Sequence, residues 1–358
     1  MKIVPQGQSV SSIVKKSVQA DSKESDCKAK YEVQDGKVLH AAASIGNTEV
    51  IELILSQGFH IDSQNKNGVT PLMTAALNDK QNAFQMLMQN GADPSLKDNS
   101  GFCLLHFAAQ GGSTSIIMKL LSLGLDVDSR NNDGVTPLMT AASNDKQNAF
   151  DILIQNGADP SLKDNGGFSV LHSATQGGNT SIINKLLSFD LDVDSMDNDG
   201  VTPLMTAADY GKQSAFEMLI QNGADTSFKD NEGFSLLHSS AQGGNTSIIN
   251  KLLSLGVAID SRSHAGVTPL MTAADYGKQS AFEKLIQNGA DPSLKDNKGF
   301  SVLHFAAKGG NTSIINELLS LGVDVHLKNV YGVTPLTRAI ENNNSDAVKL
   351  LISKGALK

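Results

Sequence analysis

Apolar positions in this chain come in short one-sided clusters, separated by glycines and polar turns. In residues 200–232, Leu204, Ala207 and Ala208 fall at i, i+3 and i+4, the spacing of one helical face. Thr202 stands before them, where its hydroxyl can accept from a free amide of the first turn. Pro203 suits the first helical position, because the N–H it lacks has no partner there in any case. Gly211 ends this predicted helix. Ala215, Phe216, Leu219 and Ile220 then mark a second helical face at i, i+1, i+4 and i+5. Gly223 suits the left-handed residue that follows a helix, and the polar stretch from Ala224 to Asn231 predicts an extended hairpin. The alanines of the first helix let neighbouring helices approach closely.

This pattern recurs. Thr-Pro-Leu-Met-Thr-Ala-Ala starts at Thr70, Thr136, Thr202 and Thr268, always 66 residues apart, and Thr334 begins a fifth, altered copy. Midway lie Val38-Leu39-His40, Leu104-Leu105-His106, Val170-Leu171-His172, Leu236-Leu237-His238 and Val302-Leu303-His304. The unit is therefore 33 residues long, in two alternating types that we call Pro units and His units. Ten units result: 35–67, 68–100, 101–133, 134–166, 167–199, 200–232, 233–265, 266–298, 299–331 and 332–358. Units 200–232 and 266–298 differ only at Met218/Lys284, Thr226/Pro292, Phe228/Leu294 and Glu232/Lys298. No unit can bury its apolar face alone, so stacking on neighbours must close the core.

A 33-residue unit with Thr-Pro-Leu or x-Leu-His, an Ala pair and Gly-Ala-Asp resembles the ankyrin repeat. The resemblance implies an all-α solenoid, an array of helix-turn-helix units joined by β-hairpin-like loops. It also implies a partner protein held on the concave face, built from hairpin tips and first helices, and a histidine that ties each helix to a neighbouring hairpin. At the slot where this family can carry a hydroxylated asparagine, the chain has Ser95, Ser161, Ser227 and Ser293, or Asp62, Asp128, Asp194 and Asp260. Two positions depart from the chain's own pattern. Asp190 replaces the helix-ending glycine seen at Gly124, Gly256 and Gly322, and Cys103 replaces the capping Ser169, Ser235 and Ser301. Both substitutions are expected to weaken their units.

Composition narrows the function. The net charge is −8 with pI near 5.5, and no basic stripe suggests nucleic-acid binding. Two cysteines, Cys27 and Cys103, exclude a disulfide framework and fit a reducing, cytoplasmic setting, with the nucleus as an alternative. No apolar run approaches the length needed to span a bilayer. Residues 1–34 fall outside the repeat, are rich in Ser, Lys, Gln and acidic residues, and are expected to be disordered, a short docking helix being the alternative. Asn179, Asn245 and Asn311 open Asn-x-Ser sequences, expected to lie unmodified in helix-start turns. The polar last unit, with Arg338, Glu341 and Lys349, suits an outward-facing cap.

Histidines that recur every 66 residues lie too far apart to share a metal, so no metal or other cofactor is expected. Met73, Met139, Met205 and Met271 read as adaptable core filler. Gly243-Gly244 and its copies read as turn glycines. No nucleophile, base and orienting group come together in sequence, and no enzyme is expected. Binding residues are the sharper question. Phe102, Phe168, Phe234 and Phe300 follow the unit glycine and either form an apolar stripe or each pack on the adjacent hairpin. Tyr210 and Tyr276 sit at first-helix ends beside Asp209 and Asp275, and tyrosine favours interfaces. The alternative is an exposed pair copied by duplication. If these residues bind, the partner should be partly basic with apolar anchors. The expected function is a monomeric, non-enzymatic protein–protein scaffold. A recognition subunit recruiting a signalling or degradation complex through residues 1–34, and a cytoskeletal or membrane-skeleton linker, are the alternatives.

Overall fold

A computed structural model describes the backbone over residues 26–356 and the side chains over 36–356. Twenty helices lie among these residues, and no strand longer than an isolated bridge. The chain divides into two compact units, residues 1–99 and 100–358.

The first unit contains helices Asp26–Ile45, Thr48–Ser56, Pro71–Leu77 and Gln81–Gln89. Its opening helix starts ahead of residue 35, where the repeat register begins; the rest of the flanking segment, residues 1–25, lies outside the described residues. Leu39, Ile51, Leu72, Met73 and Leu87 form its buried centre.

The second unit carries the remaining sixteen helices in eight pairs. The pair Pro203–Asp209 and Gln213–Gln221 shows how the sequence builds a Pro unit. Thr202 Oγ1 accepts from Met205 N at 3.3 Å, and Pro203 fills the first turn. Gly211 and Gly223 have φ of +64° and +88°, the left-handed conformation that glycine adopts without steric cost. Phe216 and Leu219 are buried, as are Phe150 and Phe282 in sister units. Met139, Met205 and Met271 are buried in the core.

His units start their second helices differently. Asn179, Asn245 and Asn311 cap them, each Oδ1 accepting from the amide three residues on at 3.0 Å. The amide nitrogens of the same side chains reach the preceding unit: Asn245 donates to Gly211 O and Asn311 to Gly277 O, both at 3.0 Å. Asn245 and Asn311 each join two units in this way, which gives their Asn-x-Ser sequences a structural role.

Gly243 is not a turn residue, a correction to the sequence reading. It lies inside helix Leu236–Gly243, and a Cβ there would sit 2.4 Å from Asp209 O and 2.5 Å from Ala208 O. Gly177 and Gly309 face the same obstruction. Glycine here permits contact between backbones; only the following Gly244, φ +81°, makes the turn.

The connecting loops are hairpin-like. Asp164 Oδ1 accepts from the amides of Gly166 and Phe168 at 2.9 Å, and Lys163 pairs with Ser169 in an antiparallel bridge. Successive hairpins are tied by Asp128, Asp194 and Asp260, whose carboxylates accept from the amides of Asp159, Asp225 and Asp291 at 3.1–3.2 Å. The aspartates at the family's hydroxylation slot are thus structural. No helix among the described residues is long and apolar enough to cross a membrane.

Candidate functional site

The histidines form the most regular polar network. His172, His238 and His304 are buried, and each places Nε2 3.0 Å from a backbone carbonyl of the next hairpin: Val201, Val267 and Val333. His106 does the same with Val135 at 2.9 Å. A carbonyl only accepts, so Nε2 carries the proton, and in a neutral ring Nδ1 is then an acceptor. The Ser235 amide donates to that nitrogen at 3.0 Å and the Ser235 hydroxyl approaches it at 2.9 Å. Burial pushes the His238 pKa from 6.5 to about 4, against the raising effect of the Val267 hydrogen bond. His172 and His304 are lowered for the same first reason.

The serines keep the capping place that the sequence gives them and add a second contact. Ser169 Oγ accepts from His172 N at 3.4 Å and also meets His172 Nδ1 at 2.7 Å. Ser235 and Ser301 meet the same ring nitrogen at 2.9 and 2.8 Å, and each ring accepts from the serine amide in a reciprocal capping box. At Cys103 the thiol takes the hydroxyl's place, with Sγ 3.1 Å from His106 Nδ1. Burial raises the Cys103 pKa, but the His106 hydrogen bond and charge outweigh that and bring it to about 7. By distance alone Ser–His pairs of this kind resemble a nucleophile and its base. Yet a catalytic base needs its far nitrogen on an orienting group and its near nitrogen open to a substrate-bound proton. Here the far nitrogen is spent on a structural carbonyl and the pair is buried. No cluster of three or more His, Cys, Asp or Glu side chains suited to a metal exists among the described residues.

Each hairpin phenylalanine packs on the histidine of its own unit. Ring centroids lie 5.3 Å apart for Phe102–His106, 4.7 Å for Phe168–His172, 5.1 Å for Phe234–His238 and 5.4 Å for Phe300–His304. All four remain half-buried.

A half-open cavity of about 480 Å³ gathers six of the eight residues proposed from sequence: Phe168, Asp209, Tyr210, Phe234, Asp275 and Tyr276. Phe300 lines a neighbouring cavity of about 180 Å³, and Phe102 lies in neither, packing on His106 and Phe107. Tyr210 and Tyr276 are 51% and 54% exposed, unusual for side chains of that size. Gln176 Nε2 donates to the Tyr210 hydroxyl at 2.8 Å and fixes that ring's rim.

Sequence reasoning missed the groove's other polar residues. Asp230 and Glu232 join Asp209 and Asp275, and no lysine or arginine lines the cavity. Gln242 donates to the Asp209 carboxylate, while Lys308, in the same slot one repeat pair later, forms a 2.6 Å ion pair with Asp275. Burial raises the Asp209 pKa, and the Gln242 bond and the charge of Lys278 partly offset it. Comparing the Gln242 and Lys308 slots in sequence would have exposed the difference.

Comparison with known proteins matches the family described as ankyrin repeats (three copies) at residues 2–98, 90–164, 151–230, 222–296 and 270–358. Among curated relatives, a potassium channel, AKT2/3, of Arabidopsis thaliana is 38% identical over 58 residues, 16% of this chain and 7% of that protein. A mitochondrial disaggregase of Bos taurus is 33% identical over 70 residues, 20% of this chain and 10% of that protein. The chain therefore spans a tenth or less of these relatives.

Proposed function

Because the chain belongs to the ankyrin-repeat family, we propose that it is a non-enzymatic scaffold that binds a partner protein on the face carrying its hairpin tips and first-helix ends. The observation that carries this reading is the cavity of about 480 Å³ with exposed tyrosines at its mouth. Its size and aromatic lining suit a ligand's side chains, and exposed tyrosine provides area at little entropic cost. A rigid stack of repeats on either side holds these groups in place without loop closure. The chain acts in this reading as a cytoplasmic monomer, consistent with the buried free thiol of Cys103.

The test is affinity capture with the wild type and a Tyr210→Ala/Tyr276→Ala variant of equal stability. The variant should lose the specific partner. A partner retained equally by both proteins refutes the assignment of this face.

A further inference from the structure

The groove is short of a positive charge, and the chain supplies that charge itself in two related places. The first is at the duplicated Asp-Tyr-Gly ends of the first helices. Asp275 meets the ammonium group of Lys308 at 2.6 Å. Asp209, in the same local sequence, meets the neutral amide of Gln242. The second is over the hairpin phenylalanines. Arg338 holds its guanidinium 5.2 Å from the Phe300 ring centre. One repeat pair earlier, the slot of Arg338 is Thr272, too short to cover Phe234, and both residues line the open groove. Asp209 and the Phe234 ring thus share one cavity without the direct cation contacts that Asp275 and Phe300 make. Asp230 and Glu232 add to the same sign of charge.

We propose that this groove recognises an extended segment of the partner protein through an arginine flanked by apolar residues. This rests on the scaffold reading above and names the chemistry of its partner. Arginine fits better than lysine because its planar guanidinium can stack on a ring and pair with a carboxylate at once. The cavity exceeds what one side chain fills, so neighbouring apolar side chains of the segment occupy the walls formed by Phe168, Tyr210 and Phe305. Half-burial of Asp209 reduces solvent screening, so the pairing counts for more than a surface ion pair.

The experiment titrates the full chain into a fluorescein-labelled Gly-Leu-Arg-Leu-Gly peptide and follows anisotropy. A peptide with citrulline in place of arginine keeps the shape and removes the charge. The arginine peptide should bind at least about tenfold more tightly than the citrulline peptide, as expected for a charge-assisted pair. Asp209→Asn should remove that preference. Gln242→Lys, which copies the Lys308 arrangement and fills the site from within, should abolish binding while melting like the wild type. Lys308→Gln combined with Arg338→Thr should do the reverse, freeing Asp275 and the Phe300 ring together, and open a second site, raising the stoichiometry. Equal binding of the two peptides, or full arginine preference in Gln242→Lys, overturns the proposal. If the peptides fail while capture still depends on Tyr210 and Tyr276, only the arginine assignment falls. If capture ignores those tyrosines, the scaffold face itself is wrong.

Discussion

Replacing His238 with glutamine should invert the order of stability between neutral and acid pH. The ring is buried and neutral, with Nε2 donating to Val267 O and Nδ1 accepting from Ser235. Its pKa falls from 6.5 to about 4, chiefly because burial penalises the charged form. The unfolded chain therefore takes up a proton near pH 6.5 that the native chain refuses until about pH 4. Stability from this residue is complete above the unfolded value and is lost as pH falls through that window. At ~1.4 kcal/mol per unit, the full loss is about 3 kcal/mol. Glutamine can offer an N–H and a carbonyl to the same partners but does not titrate. Near pH 7.5 the variant should be weaker by roughly 1 kcal/mol, the worth of an imperfect hydrogen bond. By pH 4 it should be the more stable protein by about 2 kcal/mol. Urea unfolding of both chains at each pH measures this, with the slope m confirming a common unfolding unit. Carboxylates such as Asp159 and Asp291, whose own hydrogen bonds lower their pKa, also respond to acid but cancel in the difference. Parallel pH curves for the two proteins would refute the buried neutral ring.

Three further outcomes follow from local geometry. Asp190→Gly should stabilise the chain by about 1 kcal/mol, because Asp190 holds φ +59° where a Cβ is strained; an unchanged urea midpoint would count against this. Gly243→Ala should cost about 1–3 kcal/mol, since its Cβ would meet Asp209 O at 2.4 Å; thermal melting with no loss would show that the helices can part freely. Cys103→Ser should add about 0.5–1.5 kcal/mol, by replacing a 3.1 Å thiol contact to His106 with the hydroxyl contact of 2.7–2.9 Å found at its sister positions; equal or lower stability in denaturant would contradict that.

The caps and turns were legible in sequence because each depends on one residue type in one place. Thr202, Pro203 and Gly223 act as their chemistry requires, and Asp190 adopts the strained conformation its position implied. The capping serines were legible for the same reason, and their second partner, the histidine three residues on, lies in the same unit. The role of Gly243 was hidden because the Asp209 carbonyl it admits belongs to another unit. Asn245 was seen as a helix-start residue, but its second bond to Gly211 O again crosses between units. Contacts within one unit can be read along the chain; contacts across units need the stack.

Repetition also affects where specificity can arise. Units 200–232 and 266–298 have almost the same sequence, and such copies produce the same backbone and core. Residues that recur along the array, such as the buried histidines and the hairpin aspartates, answer to packing wherever they recur and carry little information about any one surface. Discrimination has to come from slots where the scaffold is constant and the side chain is not. Gln242 against Lys308 and Thr272 against Arg338 are such slots, and both alter charge. A partner that needs a carboxylate beside an exposed ring finds it at Asp209 and Tyr210. One repeat pair later, Lys308 has already occupied the matching carboxylate. One substitution at these slots should therefore close the binding site, and paired substitutions should open another along the array, without touching its stability, a separation that an enclosed active site does not permit.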